Sequence, residues 1–297
     1  MSQEFTFDIP FKSRVVPQIL DEDAVIRFHC HKGISCFNAC CKKAEVMLTP
    51  YDIIRLKQHL GMNGSDFLKT YTLPFEMDAD KMAGVKIRPD DQGACPFVTP
   101  EGCSVYADRP TACRYYPIGH LAMHAKDAPH ETTHHVLVKE PYCRGHDEDR
   151  TISIAAYRQE QDLEIYDAMN QDWLQLILKK KSAGPTVGKP PELSLHLFFM
   201  ACFDQDRFRR FVLSESFRNS YDLDDSLFRE LETDDIALMK FGFRFLRQVL
   251  FAERSLPERA GAWEEHYERR KEVFELRRQV EIARAQQLED DKYAEGL

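Results

Sequence analysis

Eight of the nine cysteines in this 297-residue chain fall between positions 30 and 143, and that clustering limits what this part of the chain can fold into. They come as Cys30, Cys36, Cys40 and Cys41, then Cys95, Cys103 and Cys113, then Cys143. The segments that carry them lack apolar periodicity. HCHKGISCFNACCKK (29–43) has none, and the stretch from Val85 to Pro117 reads as irregular, broken by Gly93, Pro96, Pro100, Gly102, Pro110 and Pro117. Such segments bury too little apolar surface to order themselves, so their order must come through sulfur. Thiols scattered through a core do not collect beside glycine and proline in this way. An odd cysteine count argues against a disulfide framework. So does the N-terminal MSQEFTFDIPFKSRVVP, which lacks the basic start and apolar run of an export signal. The expected compartment is the cytosol, where thiols stay reduced.

Metal ligation is the remaining reading, and all eight cysteines are candidate ligands. Thiolate-rich sites select zinc or iron–sulfur over magnesium or calcium. Spacing does not choose between them. The runs Cys-x5-Cys-x3-Cys-Cys and Cys-x7-Cys-x9-Cys contain no Cys-x2-Cys knuckle and match neither common ferredoxin pattern. Eight thiols suffice for two four-thiolate sites, or for one principal site that mixes both groups. The need to tie two irregular segments together favours the single site. Adjacent side chains usually diverge, so one thiol of Cys40–Cys41 is expected at the metal while the other serves a second ion or packs as a small hydrophobe. Arg109, Arg114 and Arg144 lie close in sequence to Cys113 and Cys143 and are placed to offset thiolate charge, with Arg144 more in the manner of a surface residue. His29 and His31 flank Cys30 and lean away from it in an extended chain. His146, three residues past Cys143, is the foremost histidine candidate.

The rest of the sequence narrows the class. A net charge of -9 argues against a general nucleic-acid binder. No run approaches the roughly 18–20 apolar residues of a membrane helix. P-loop, GxGxxG, GxSxG and HExxH motifs are missing.

The expected fold is mostly α. An extended arm (1–28), in which Phe5, Phe7 and Ile9 alternate briefly, leads to an irregular cysteine-rich metal-binding domain (29–149) with a small β-hairpin. A helical region (150–297) follows. Thr49, Pro50 and Asp52 signal a helix start, and Ile53, Leu56 and Leu60 share one face before Gly61 ends the helix. A shorter helix is expected from an N-cap at Ser65. The hairpin pairs Ile118–His124 with Thr132–Val138 around a turn at 127–129. Thr151–Lys181 reads as one long amphipathic helix, 182–191 as a linker, and Glu192–Ser214, Ser226–Leu231 and Asp234–Glu253 as further helices. The charged segment 257–297, where Val273, Leu276, Val280 and Ala283 keep heptad spacing, reads as a solvated terminal helix rather than a coiled coil. The C-terminal helices offer a surface for an unidentified protein partner.

The motifs also carry a resemblance. Cys30…Cys36…Cys40-Cys41, the TPYDIIRL helix, ACPF, GCSVYADRPTACRYYP and EPYCRGH together resemble the YkgJ-type cysteine-cluster family over roughly residues 28–146. The segment GCSVYADRPTACRYYP is its most specific part. That family is described as a zinc- or iron-chelating domain, often labelled an Fe–S-type protein. The resemblance implies an iron–sulfur cluster, or alternatively zinc, with a structural or redox role. The family's first motif is usually Cys-x2-Cys-x2-Cys-Cys. The gaps of five and three here leave the roles of Cys30 and Cys36 less defined than those of Cys40, Cys41, Cys103 and Cys113. Its similarity to flagellin lysine-N-methylases also implies an enzyme alternative, a cluster-dependent lysine N-methyltransferase or Fe–S oxidoreductase. Kinship of fold does not transfer an activity.

Overall fold

The computed structural model describes residues 15–42, 45–77, 82–123, 132–182 and 191–261, with scattered positions of the terminal segment beyond. In chain order, strands β1 (Val15–Leu20) and β2 (Val25–Arg27) lead to a 3-10 turn at Cys40–Lys42. Strand β3 (Met47–Leu48) precedes helices α1 (Pro50–His59) and α2 (Gly64–Tyr71). Strands β4 (Thr72–Glu76), β5 (Ala83–Ile87), β6 (Val98–Thr99) and β7 (Gly102–Cys103) follow. Next come α3 (Thr111–Tyr115), β8 (Ile118–Met123), β9 (Thr132–Val138) and β10 (Thr151–Ser153). The remainder is helical: α4 (Ile154–Glu160), α5 (Leu163–Ser182), α6 (Glu192–Cys202), α7 (Gln205–Val212), α8 (Glu215–Ser220), α9 (Asp225–Thr233) and α10 (Asp235–Phe251).

The mostly helical expectation agrees with this architecture, but the strands exceed one hairpin. β8 and β9 pair as expected, and β1 adds to the far edge of β9. The arm is thus partly sheet. β2 pairs with β10, β6 with β7, and β5 lies between β3 and β4. The sequence carries no signal for the β3–β5–β4 sheet because β5 shows no alternation: Val85 and Ile87 are buried, and so is Gly84, where a β-carbon would collide with the Phe75 ring. The expected turn at 127–129 and the 5–9 alternation lie outside the described residues, as does most of the 182–191 linker.

Helix α1 shows how local chemistry sets an element. Thr49 accepts from the Asp52 amide (3.1 Å) while the Asp52 carboxylate accepts from the Thr49 amide (2.9 Å), a reciprocal cap. At the other end Gly61 adopts φ +63°, and the Gly61 and Met62 amides donate back to Gln58 and Lys57. Helix α2 is capped by Asn63, which accepts from the Asp66 amide (2.8 Å), and not by Ser65. Ser65 instead sits in the first turn and bonds Asp204 and Asp206 beside α7.

Two long helices expected from periodicity are broken. The 151–181 segment opens with β10 and then splits at Asp162, which takes φ +54°. The Gln161 carbonyl is drawn to the buried Arg114 guanidinium (2.8 Å), and Leu163 turns fully inward. The 192–214 segment splits at Phe203–Asp204. Phe203 is fully buried, and Asp204 caps α7 through the Arg207 amide. Helix α8, capped by Ser214, follows where the sequence shows no strong period.

Two apolar clusters organise the interior. The larger joins β3, α1, α2 and β5 to α5–α7 and α9–α10, with Phe198, Phe203, Phe208 and Phe243 fully enclosed. The smaller collects Leu20, Ile26, Phe28, Tyr115, Ile118, Ile152, Ile154, Tyr157 and Leu163. Cys95 and Cys103 pack against the first, and Cys143 against the second. Among the described residues no helix is long and apolar enough to cross a membrane.

Candidate metal centre

The cysteine segments are drawn together by backbone bonds before any metal is considered. The Cys95 amide donates to the Cys41 carbonyl (2.7 Å), joining the first cysteine run to the second. Between Cys36 and Cys40 the chain reverses at Asn38, which takes φ +64° and reaches the Thr99 carbonyl with its amide (2.9 Å). Asparagine tolerates the left-handed region better than most side chains, so it suits this reversal. Cys103 sits on β7 opposite Val98, and Cys113 rides on α3. The buried Asp52 carboxylate accepts from both the amide (2.8 Å) and hydroxyl (2.7 Å) of Thr111, which fixes α3 against the start of α1.

The doublet Cys40–Cys41 converges. Within their 3-10 turn the two sulfurs lie 3.9 Å apart. Two thiolates each about 2.3 Å from one tetrahedral ion stand about 3.8 Å apart, so this pair is spaced to share one metal atom. That corrects the expected divergence. Successive residues of a 3-10 turn still diverge by about 120°, and it is the conformations of the two side chains that bring the sulfurs together.

The electrostatics of the thiols describe two overlapping neighbourhoods. Cys113 is pushed up by burial of its sulfur and by nearby Cys95, Asp52, Cys40 and Cys103. Its residue surface remains partly open to solvent while the sulfur is crowded. Cys95 and Cys103 are likewise raised by burial, each with Cys40 among the neighbours. Cys30 is pushed up to about 11 by burial and by Cys40, Cys36 and Cys143. Within the doublet a shared proton holds Cys41 up as the thiol and draws Cys40 down to about 7. Cys40 therefore neighbours both groups: Cys41, Cys95, Cys103 and Cys113 on one side, Cys30 with Cys36 and Cys143 on the other. Thiols that raise one another in this way repel as thiolates, and a cation reverses the balance.

A pH dependence follows. At pH 8 Cys40 is largely thiolate and the raised thiols are protonated. Zinc uptake by a four-thiolate site that includes Cys40 should therefore release about three protons, and affinity should fall as pH drops from 8 to 6. An indicator dye in weakly buffered solution reads the release directly. Uptake without proton release would contradict thiolate ligation.

The second neighbourhood depends on a close backbone approach. The Cys36 sulfur accepts from the Arg144 amide (3.2 Å). Gly145 lets this turn lie against the arm, since a β-carbon there would meet the Phe28 ring at 2.7 Å. The Gly145 carbonyl accepts from the His29 amide (2.9 Å).

The three arginines have different roles. Arg144 is exposed and reaches Asp147 (3.5 Å), so its contact with sulfur is made by the backbone alone. Arg109 stacks over Tyr106 (4.0 Å), and its charge offsets part of the rise that burial imposes on Cys103. Arg114 is 2% exposed and spends its donors on the carbonyls of Ala107, Arg109 and Gln161 and on the Tyr166 hydroxyl. It is a structural cation and not a partner of sulfur. His146 packs its ring between Phe28 and Tyr116, where burial pushes it below the usual imidazole range. His29 and His31 lie with ring centres 4.6 Å apart. Cys202 is fully buried on α6, away from this cluster.

Residues 29–151 match the family model CxxCxxCC, described as a putative zinc- or iron-chelating domain. No curated protein and no solved structure matches the chain.

Proposed function

We propose, from the match of residues 29–151 to the zinc- or iron-chelating CxxCxxCC family model, that the chain holds a structural metal through its cysteine cluster. The principal ligands are drawn from Cys40, Cys41, Cys95, Cys103 and Cys113, with Cys30, Cys36 and Cys143 as the adjoining set. The observation that carries this reading is the 3.9 Å separation of the Cys40 and Cys41 sulfurs. It favours two sulfurs on one metal atom, as in a single tetrathiolate zinc or iron or in a two-iron cluster, over a four-iron cluster. In a four-iron cluster each cysteine holds its own iron, and the sulfurs stand farther apart.

The role follows from where the thiols sit. Cys95 and Cys103 pack on the larger apolar cluster, Cys143 on the smaller, and Cys40 neighbours thiols of both sets. When bound, the ion supplies cross-links worth on the order of 10 kcal/mol between segments that bury few apolar residues of their own. The side chains supply position: the Asn38 reversal, the Cys95–Cys41 backbone bond and the Asp52 clamp on Thr111 hold the sulfurs near their places beforehand.

Anaerobic purification, elemental analysis and a visible spectrum test the assignment. The expected result is zinc or iron bound at close to stoichiometric level, without acid-labile sulfide. Four irons per chain with matching sulfide would overturn the shared-atom reading, and a metal-free folded protein would overturn the proposal itself.

A further inference from the structure

We propose that His29, His31 and Glu148 form a second cation site, bound through nitrogen and oxygen and separate from the thiolate cluster. One ligand atom from each of the three lies within 4.8 Å of the others. The arrangement follows from the backbone. In an extended stretch residues i and i+2 share a face, so two histidines that lean away from Cys30 lean toward each other. Their ring centres are 4.6 Å apart. Glu148 arrives from a distant part of the chain, and its carboxylate already lies 3.2 Å from the His31 Nε2 atom.

The supports of these three side chains are built in. The His29 amide is anchored on the Gly145 carbonyl (2.9 Å) and the Phe28 amide on the Arg150 carbonyl (3.0 Å), which brackets the 145–150 segment against the arm. Arg27 binds the Asp147 carbonyl (2.9 Å), the Glu148 carbonyl and the Asp149 carboxylate, so the backbone around Glu148 is held by one guanidinium. Supports of this kind orient ligands around a metal. His31 also accepts from the Gly33 amide through Nδ1 (3.1 Å). Binding a cation at Nε2 moves the ring proton to Nδ1 and turns that amide to water, which the exposed glycine allows.

Two imidazoles and one carboxylate select a divalent first-row transition ion over calcium or magnesium. Three protein ligands leave coordination positions open, the pattern of exchangeable or reactive sites and not of closed structural ones. All three residues are half-buried, so water and small ligands reach them. The proposal therefore adds to the thiolate cluster an accessible ion with free positions.

The test uses the full, tag-free chain with its thiolate metal in place. Dialysis against zinc should load one further ion per chain. Cobalt offered to the same protein should give weak d–d bands without new sulfur-to-metal charge transfer. His31→Ala and Glu148→Gln should each weaken the extra ion at least tenfold, while the thiolate metal and the circular dichroism spectrum stay unchanged. The proposal is overturned if no extra ion binds, if both variants keep it, or if the added cobalt shows thiolate charge transfer. Loss of the extra ion in Cys40→Ser but not in His31→Ala would likewise assign it to the cysteines. Because the thiolate metal is measured in the same samples, failure here is distinguishable from failure of the cysteine assignment.

Discussion

Cys40→Ser and Cys41→Ser should each lower metal affinity by at least about 100-fold, the upper range for disturbing mere supports of a ligand. Serine is nearly isosteric, so packing around the turn changes little while a soft ligand becomes a hard one. The metal-poor protein should then be cut by protease in the first cysteine run, 29–42, where Ile34 is the one buried apolar side chain. The larger apolar cluster, which joins α1, α2 and β5 to α5–α10, should persist. Cys202→Ser is the control. Its sulfur is fully buried beside Trp173, so the substitution should keep the metal and destabilise by about 1–3 kcal/mol from burying a hydroxyl. Metal lost from Cys202→Ser but kept in Cys40→Ser would place the site in the wrong half of the chain. Elemental analysis after desalting and limited proteolysis provide both readouts.

Arg114→Met should cost about 3–5 kcal/mol, seen as a fall in melting temperature on the order of 10 °C. The guanidinium is buried, lies 4.1 Å over the Tyr166 ring, and satisfies the carbonyls of Arg109 (3.1 Å) and Gln161 (2.8 Å) along with that of Ala107. Methionine fills much of the volume but leaves those carbonyls enclosed and unpaired, and an unmade buried bond costs more than a made one contributes. Arg114→Lys should recover only part of the loss. An ammonium has three donors on a flexible stem and cannot reproduce a planar fork aimed at three carbonyls. Because Arg114 follows Cys113 and holds the 107–109 backbone to the α4–α5 corner, metal affinity should weaken as well, though less than in the cysteine variants. Denaturant unfolding within about 1 kcal/mol of the parent would refute this role.

Cysteine clustering, the reciprocal cap at Thr49–Asp52, the glycine stop at Gly61 and the β8–β9 pairing were all legible, because each rests on residue type and short-range spacing. The conspicuous Arg109-Pro110…Cys113-Arg114 string was legible as a motif, but its meaning was not. Only the folded chain shows that Arg114 serves carbonyls instead of sulfur. The break at Asp162 was hidden for the same reason: the pull on the Gln161 carbonyl comes from a guanidinium 47 residues away. The convergence of Cys40 with Cys41 depended on a 3-10 turn and side-chain conformations that the local sequence does not demand, and the meeting of His29 and His31 with Glu148 on the pairing of β2 with the distant β10, which brings the 145–150 segment beside the arm. By itself, then, the sequence determined which chemistry is present and the local starts and stops of several elements. Tertiary structure decided which sulfurs share a neighbourhood, which charges face them and where long helices divide, because those outcomes depend on contacts between residues far apart in the chain, where residue type and local period carry no record.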